Sequence, residues 1–296
     1  MPLATMPDLL QGALAGGYGV GYFESWDLDS LEAVLDAAEA ERSPVIVGFG
    51  GMMVDAAWLE RRGVAMLGPA ARAAAERASV PVAVMFNEAQ TLAQAHIALE
   101  GGYNCLLLST DDLAPAEALA VAADLTARAH AAGVAVEAEL GHLPDAAAGA
   151  EEGGEMTDPA EAAAFVAATG IDCLAVSIGN VHVKTDGWAA IDRGRLEALR
   201  AAVGIPFAVH GGTSFPPDGV PHAVANGVAK FNVGTILKRV YAQALKASAA
   251  SVDPAADVHE LLGSRKAGDL TAAARAALQA KVRELMRLYG SSGKAA

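Results

Sequence analysis

Two short segments of this chain combine residue types that can hold an anion and move a proton beside it. The first is Val209-His210-Gly211-Gly212-Thr213-Ser214 and the second is Asn232-Val233-Gly234-Thr235. Each follows an apolar run of strand character, Pro206-Phe207-Ala208-Val209 and Lys230-Phe231 respectively. Paired glycines let backbone N–H groups approach an anion closely, and Thr213, Ser214 and Thr235 add hydroxyl donors. His210, at a strand tip, can bind a metal or carry a proton next to that anion. The combination suggests a phosphate clamp beside reactive chemistry.

The elements that must position these residues follow a regular alternation. Strand-like runs at 19–23, 45–48, 80–86, 105–109, 134–140, 173–178, 207–209 and 229–233 are separated by segments of helical period. Those segments lie near 29–42, 56–78, 90–101, 115–132, 158–169, 193–203, 216–226 and 235–249. Eight strand–helix units predict an α/β fold of the closed (β/α)8 TIM-barrel type; an open doubly wound sheet fits the same alternation, but eight equal units favour closure. Residues 1–296 read as a single barrel domain with a helical tail from about 253 to 296. Thr157-Asp158-Pro159 places a cap before a first-turn proline, and Ser30 with Glu32 marks another acidic helix opening. The loop 142–157, rich in Gly, Ala and Glu, suits a flap over the barrel mouth. The end, 290–294, is small and polar and is mobile unless docked.

Composition narrows the function. The 296 residues carry a net charge of −14, which argues against general nucleic-acid binding. No apolar run approaches the roughly 20 residues a bilayer span needs, so no membrane association is expected. The N-terminus lacks a basic region followed by an apolar core, and Cys105 and Cys173 sit inside apolar runs as reduced core residues. Both features point to the cytoplasm. An anionic substrate therefore needs a local positive site built from a metal, helix N-termini or a few lysines.

In a barrel of this kind the reactive groups sit at the C-terminal ends of the strands, and the loops after strands seven and eight form the usual phosphate site. The third strand ends in Asn87-Glu88, the fifth carries Glu137 and Glu139, and the sixth runs through Ile178-Gly179-Asn180 to His182. The seventh ends in His210 and the eighth carries Asn232. A lone histidine at a strand end is commonly a hydrogen-bonded structural residue. Glu137 and Glu139 are harder to explain away: they share one face of a buried strand, which demands a metal, basic partners or a polar mouth. Glu88, Glu139, His182 and His210 come from four strand tips and offer the nitrogen and oxygen donors that zinc takes. His96, His130, His142, His222 and His259 lie on predicted helices or loops and are given no role.

Over nearly its whole length the chain resembles the class II, metal-dependent ketose-bisphosphate aldolases, the fructose- and tagatose-bisphosphate type. The most specific segments are Val136-Glu137-Ala138-Glu139-Leu140-Gly141, Leu174-Ala175-Val176-Ser177-Ile178-Gly179-Asn180-Val181-His182 and the two clamp segments. The resemblance implies His182 and His210 as metal ligands, Glu139 as a metal-associated carboxylate, and Gly211, Ser214, Asn232 and Thr235 as a site for dihydroxyacetone phosphate. With the clamp read as a whole, the expected substrate contacts are Gly179, Lys184, Gly211, Gly212, Thr213, Ser214, Asn232, Val233, Gly234 and Thr235. It further implies a divalent ion, zinc first, with a monovalent cation as a second candidate, and a cytoplasmic homodimer or homotetramer.

The departures from that family pattern are as informative as the matches. The family's third strand ends in Asp-His, the proton-transferring acid and a metal ligand; here those positions are Asn87 and Glu88. Asn cannot exchange a proton at neutral pH, so the family's acid–base step cannot run through residue 87. Glu88 is either a ligand or a replacement acid, and Asn87, Glu88 and Asn232 make up the expected catalytic set. Leu108-Ser109-Thr110 replaces the usual Asp-Gly-Ser, Val183 the usual Gly, and Glu24 the usual Asn near the first strand tip. The leading expectation is a divergent metal-dependent aldolase acting on a phosphorylated ketose through a metal-stabilised enediolate. The alternatives are a phosphosugar-binding relative without catalysis and a metal-dependent sugar-phosphate isomerase or lyase.

Overall fold

The computed structural model describes residues 2–141, 154–182, 184 and 187–295. Eight parallel strands run in chain order: β1 (Val20–Ser25), β2 (Val45–Gly50), β3 (Val82–Ala89), β4 (Cys105–Leu108), β5 (Ala135–Leu140), β6 (Cys173–Val176), β7 (Phe207–Val209) and β8 (Val228–Val233). Each pairs with the next, and β8 returns to β1, so the sheet closes into the expected barrel. The strands are apolar on both faces because both are covered. Outward side chains such as Phe23, Val47, Val84, Leu106, Val136, Phe207 and Phe231 pack beneath the helices. Inward ones, including Val20, Tyr22, Ile46, Met85, Cys105, Cys173 and Ala208, fill the barrel interior.

Helix α1 (Met6–Gly16) precedes β1 and lies outside the sequence expectation. Thr5 caps it by accepting the Asp8 amide at 3.2 Å, and Pro7 sits in its first turn. Its Met6, Leu9, Leu10 and Ala13 join the interior cluster formed by the strands' early residues. This places α1 as a plug at the N-terminal end of the barrel, opposite the end that carries the polar side chains.

The outer layer follows the expected order: α2 (Leu28–Glu41), α5 (Leu92–Glu100), α6 (Pro115–Ala131), α7 (Pro159–Thr169), α8 (Arg193–Ala202), α9 (Val220–Ala225) and α10 (Thr235–Ala250). The helix expected over 56–78 is instead α3 (Ala56–Trp58), a π-helical turn (Leu59–Gly63) and α4 (Val64–Ala75). The Trp58 ring packs on Gly63, where a Cβ would lie 2.4 Å from it. Before α9 the chain makes a short 3-10 turn, Pro217–Gly219, with proline in its first turn, where no amide donor is needed. The α2 cap is Asp27 rather than Ser30, the two residues bonding each other's backbones reciprocally.

The tail forms α11 (Val258–Leu261) and α12 (Ala272–Leu288), and α12 packs against α2 and α10 through Ala274, Leu278, Val282 and Met286. The small polar end is docked. Ser43 and Ser291 hydroxyls pair at 2.8 Å, and the Gly293 and Ala295 amides donate to the Glu41 and Arg42 carbonyls at 2.8 Å. Of the loop expected to act as a flap, 142–153 lies outside the described residues. Thr157, at its end, donates to the Leu140 carbonyl and accepts the Ser177 amide, joining the tips of β5 and β6. Among the described residues no helix is long and apolar enough to cross a membrane.

Candidate active site

The polar side chains of the barrel gather at the C-terminal ends of the strands, as the inward alternation requires. Asn87 follows Ala83 and Met85 on β3, Glu137 follows Ala135 on β5, His210 follows Ala208 beyond β7, and Asn232 follows Lys230 on β8. Strict alternation would send Glu88 outward. Its backbone is left-handed instead, with φ 55°, and the β3–β4 register shifts between Phe86 and Ala89. That local strain turns the Glu88 carboxylate inward, to 3.2 Å from His210 Nδ1.

His210 is the hub of the site. Its ring Nε2–H donates to Glu137 Oε1 at 2.9 Å, and this carboxylate partner sets the tautomer. Its Nδ1 is buried without a hydrogen-bond partner, facing Glu88 at 3.2 Å and Glu139 at 3.3 Å. Lys230 Nζ straddles the Glu137 carboxylate, 3.0 Å from Oε1 and 2.9 Å from Oε2, and also donates to Asn232 Oδ1. Asn232 in turn donates to Asn87 Oδ1 at 3.5 Å. Asn180 ties the two histidine-bearing segments together: its Oδ1 accepts the Ile178 amide and its Nδ2 donates to the His210 carbonyl at 3.0 Å. The His182 ring meets the His210 ring edge-on, centroids 5.7 Å apart.

These contacts shape the charges. Burial alone would depress the His210 imidazole, but Glu137, Glu88 and Glu139 outweigh it and raise its pKa to about 10. Burial works to raise Glu88, yet His210, His182 and Lys230 hold it down at about 2. Glu137 is likewise held below its ordinary value against burial, first by Lys230 and then by His210. Glu139 goes the other way, to about 8, because burial is reinforced by Asp111, Glu88 and Glu137 and only His210 opposes it. The floor of the site thus gathers three carboxyl groups around one imidazole ring.

Above that floor opens a cavity of about 300 Å³, lined on one side by Glu24, Gly50, Asn87, Glu88, His182 and His210. Its other side is Gly211, Thr213, Asn232, Val233, Gly234, Thr235 and Lys238. Gly234 and Thr235 open helix α10, whose first amides have no carbonyl partners within the helix. A helix start facing a cavity attracts an anion.

The whole chain matches one protein family: residues 4–294 fit the family described as fructose-bisphosphate aldolase class-II. The chain belongs to the class-II fructose-bisphosphate aldolase family. It is 32% identical over 301 residues to the fructose-bisphosphate aldolase of Geobacillus stearothermophilus, covering 100% of both chains. The fructose-bisphosphate aldolase of Streptococcus pneumoniae is also 32% identical, over 300 residues and 100% of both chains. In three dimensions the chain is similar to the YdjI aldolase from Escherichia coli K12, with a TM-score of 0.83 and 27% identity over 99% of this chain and 100% of that one. Membership makes this chain a divalent-metal-dependent aldolase, a carbon–carbon lyase.

The residues of this class II aldolase fit a divalent ion. Glu88, His182 and His210 each offer a donor atom, all within 4.8 Å of one another. His210 presents a buried, unpartnered Nδ1 on one side and a carboxylate-held Nε2–H on the other, the arrangement by which metal-bound histidines are oriented. Glu139 lies beside this set but also faces a second cavity, together with Asp111 and Thr157.

Of the expected clamp, Gly211, Thr213, Asn232, Val233, Gly234 and Thr235 line the cavity. The others, Gly179, Lys184, Gly212 and Ser214, are not among its lining residues. Ser214 is buried with its hydroxyl turned back to the Gly211 carbonyl at 3.4 Å, and the Gly212 amide donates to the Asn232 carbonyl at 2.9 Å. Gly179 turns the chain after β6 with φ 95°, and Lys184 is half-buried in the same loop. Val183 lies outside the described residues.

Sequence reading missed Lys230, Asn180, Tyr22 and Lys238. Lys230 had a signal: a lysine inside an apolar strand of a closed barrel must find a carboxylate, and Glu137 was the carboxylate in need of a base. Lys238 had none, since one lysine on a polar helix face is unremarkable until the helix is placed.

Proposed function

We propose that this chain cleaves or forms a phosphorylated ketose, with dihydroxyacetone phosphate or a close relative as the ketone half. The observation that carries the reading is the His210 side chain, with Nε2–H on Glu137 and a buried, unpartnered Nδ1 aimed at Glu88 and Glu139, next to the α10 start. Glu88, His182 and His210 would hold the divalent ion, with Glu139 adjacent. Two imidazoles and one carboxylate are a donor set that zinc takes in catalytic sites, which supports zinc. When bound there, the ion supplies Lewis acidity to the ketone oxygen and to the negative charge left when the carbon–carbon bond breaks.

The chain's own residues do the rest. Glu137, kept ionised by Lys230, fixes the His210 ring and strengthens Nδ1 as a donor. Lys230 holds Asn232 Oδ1, so the Asn232 amide hydrogens are the groups left to donate to Asn87 and to a substrate oxygen. Gly211, Thr213, Gly234 and Thr235 seat the phosphate at the α10 start, which anchors the unreactive end and orients the carbons to be separated. The Thr213 hydroxyl already accepts the Ile236 amide at 3.2 Å, so its proton is left for an anion's oxygen. The acidic composition suits a small-molecule partner rather than nucleic acid, and a cytoplasmic homo-oligomer remains part of the proposal on the family resemblance.

The test is release of triose phosphate from candidate ketose phosphates with and without a chelator. Metal-dependent release is the expected result, and full activity in the chelated protein would rule out the metal mechanism. Asn87 favours a second reading, a phosphosugar-binding protein without turnover. That reading predicts binding of dihydroxyacetone phosphate with no product of any kind.

A further inference from the structure

Asn87 leaves the site without the acid–base group that an aldol cleavage needs. Six titratable side chains line the cavity: Tyr22, Glu24, Glu88, His182, His210 and Lys238. Glu88, His182 and His210 are the ion-binding set. The Tyr22 hydroxyl is buried, and burial with the neighbouring carboxylates Glu24 and Glu88 pushes it well above the usual phenol range. Lys238 is engaged as a counter-ion: its Nζ donates to Glu24 Oε1 at 2.5 Å. Glu24 remains.

Its placement suits the task. Glu24 lies two residues beyond Tyr22 on the inward face of β1, at the mouth. Its carboxylate is wedged between two glycines: a Cβ on Gly50 would lie 3.0 Å from Oε1, and one on Gly234 2.1 Å from Oε2. Gly50 is the strand partner of Asn87 on β3. Glu24 is two strands from Asn87, but its carboxylate reaches across to Gly50 on the intervening strand, next to the position where the family pattern has its acid, and lies beside the helix start proposed to hold the phosphate. Against that same pattern, Asn and Asp positions have traded character: residue 87 has lost a carboxylate while residue 24 has gained one.

We infer that Glu24 is the acid–base residue of this site, carrying the proton that Asn87 cannot. The inference rests on the aldolase reading above. In the cleavage direction, the Glu24 carboxylate takes the proton from the hydroxyl on the carbon that becomes the aldehyde. The C–O bond becomes C=O as the adjacent carbon–carbon bond breaks, and that bond's electron pair stays on the ketone half as an enediolate. Protonated Glu24 then returns the same proton to that carbon, giving the neutral ketone phosphate and regenerating the carboxylate. No atom or electron is left over. The groups facing Glu24 are Tyr22 on its own strand, Glu88 from β3 and Lys238 from α10. Burial raises the Glu24 carboxyl above its ordinary value, Lys238 opposes this, and Glu88 adds to it.

The experiment uses the metal-loaded full chain with dihydroxyacetone phosphate in D2O, following by NMR the exchange of the hydroxymethyl hydrogen of its ketone end. Glu24→Gln should slow exchange by about a hundredfold or more with metal content unchanged by elemental analysis and KM little altered. Glu24→Asn, the residue of the family pattern, should lose exchange equally, and adding Asn87→Asp to it should restore much of the rate. Glu24→Asp should retain part of the rate and shift the acidic limb of its pH profile. Unchanged exchange in a metal-replete Glu24→Gln protein overturns the inference. So does a change confined to KM, which would make Glu24 a wall of the pocket. If the wild-type protein neither exchanges nor releases triose, the aldolase reading falls and takes this one with it; if wild type does both and Glu24→Gln does too, only the role of Glu24 is lost.

Discussion

Glu137 Oε1 lies 2.9 Å from His210 Nε2, at the fully buried floor of the cavity, with Lys230 Nζ on the same carboxylate. This pair joins stability to chemistry. The carboxylate that orients the ion-binding imidazole is itself balanced by a lysine with no exposure to solvent.

Removing one member should therefore be costly. Lys230→Met leaves Glu137 as a buried carboxylate with His210 alone, and should destabilise the fold by about 3–5 kcal/mol. The double variant Lys230→Met/Glu137→Gln should recover part of that loss, because no uncompensated charge remains. Denaturant unfolding of the two variants decides the point; equal losses would mean the charge pairing is not the source.

His210→Ala should abolish or greatly weaken divalent-ion binding while leaving the barrel folded. Elemental analysis of the purified protein and its circular dichroism measure the two. Full metal content in the variant would remove His210 from the ligand set.

Gly211→Ala should damage the clamp and the ion site together. Residue 211 has φ 70°, and a Cβ there would lie 2.2 Å from the Val181 carbonyl oxygen, next to His182. The substitution forces the segment after β6 away and should cost about 1–3 kcal/mol. Weaker binding of both metal and inorganic phosphate, read by calorimetry, is the expected result.

The docked C-terminus should show in the acid stability. The Arg287 guanidinium, with Arg283 and Ser292 and against the opposing effect of burial, holds the Glu41 carboxyl down at about 2, from an ordinary 4.5. A depressed carboxyl stabilises the fold fully above its unfolded pKa and loses that contribution as pH falls from about 4.5 towards 2. Glu41→Gln should therefore lower Tm at pH 7, and the gap to wild type should narrow below pH 4. A gap constant with pH would show that the ion pairs contribute nothing.

Much of this was legible in the chain, for identifiable reasons. The eight strands announce themselves because a barrel strand covered on both faces must be apolar throughout, and the helices between them keep their 3.6-residue period. Helix α1 escaped notice because its apolar face belongs to the barrel interior, which has no signature before the strands close. His182, His210 and Glu139 stand at strand tips and could be grouped by position alone. Glu88 could be named but not aimed, since alternation would point it outward and only its left-handed backbone turns it in. Ser214 illustrates the reverse: its hydroxyl looks available beside two glycines, yet the turn folds it back on Gly211.

Local spacing thus dictated the barrel, the polar strand tips and the glycine clamp, because those depend on periods and turns within a few residues. The partnerships depended on closure. Glu137 and Lys230 are 93 residues apart and meet only because the sheet curls until inward faces of different strands look across one narrow interior. Glu24 and Lys238, separated by 214 residues, meet because β8 returns to β1 and carries the start of α10 to that edge. A carboxylate's role follows from which charge lies within a few ångströms of it, and that distance does not exist until the barrel is shut.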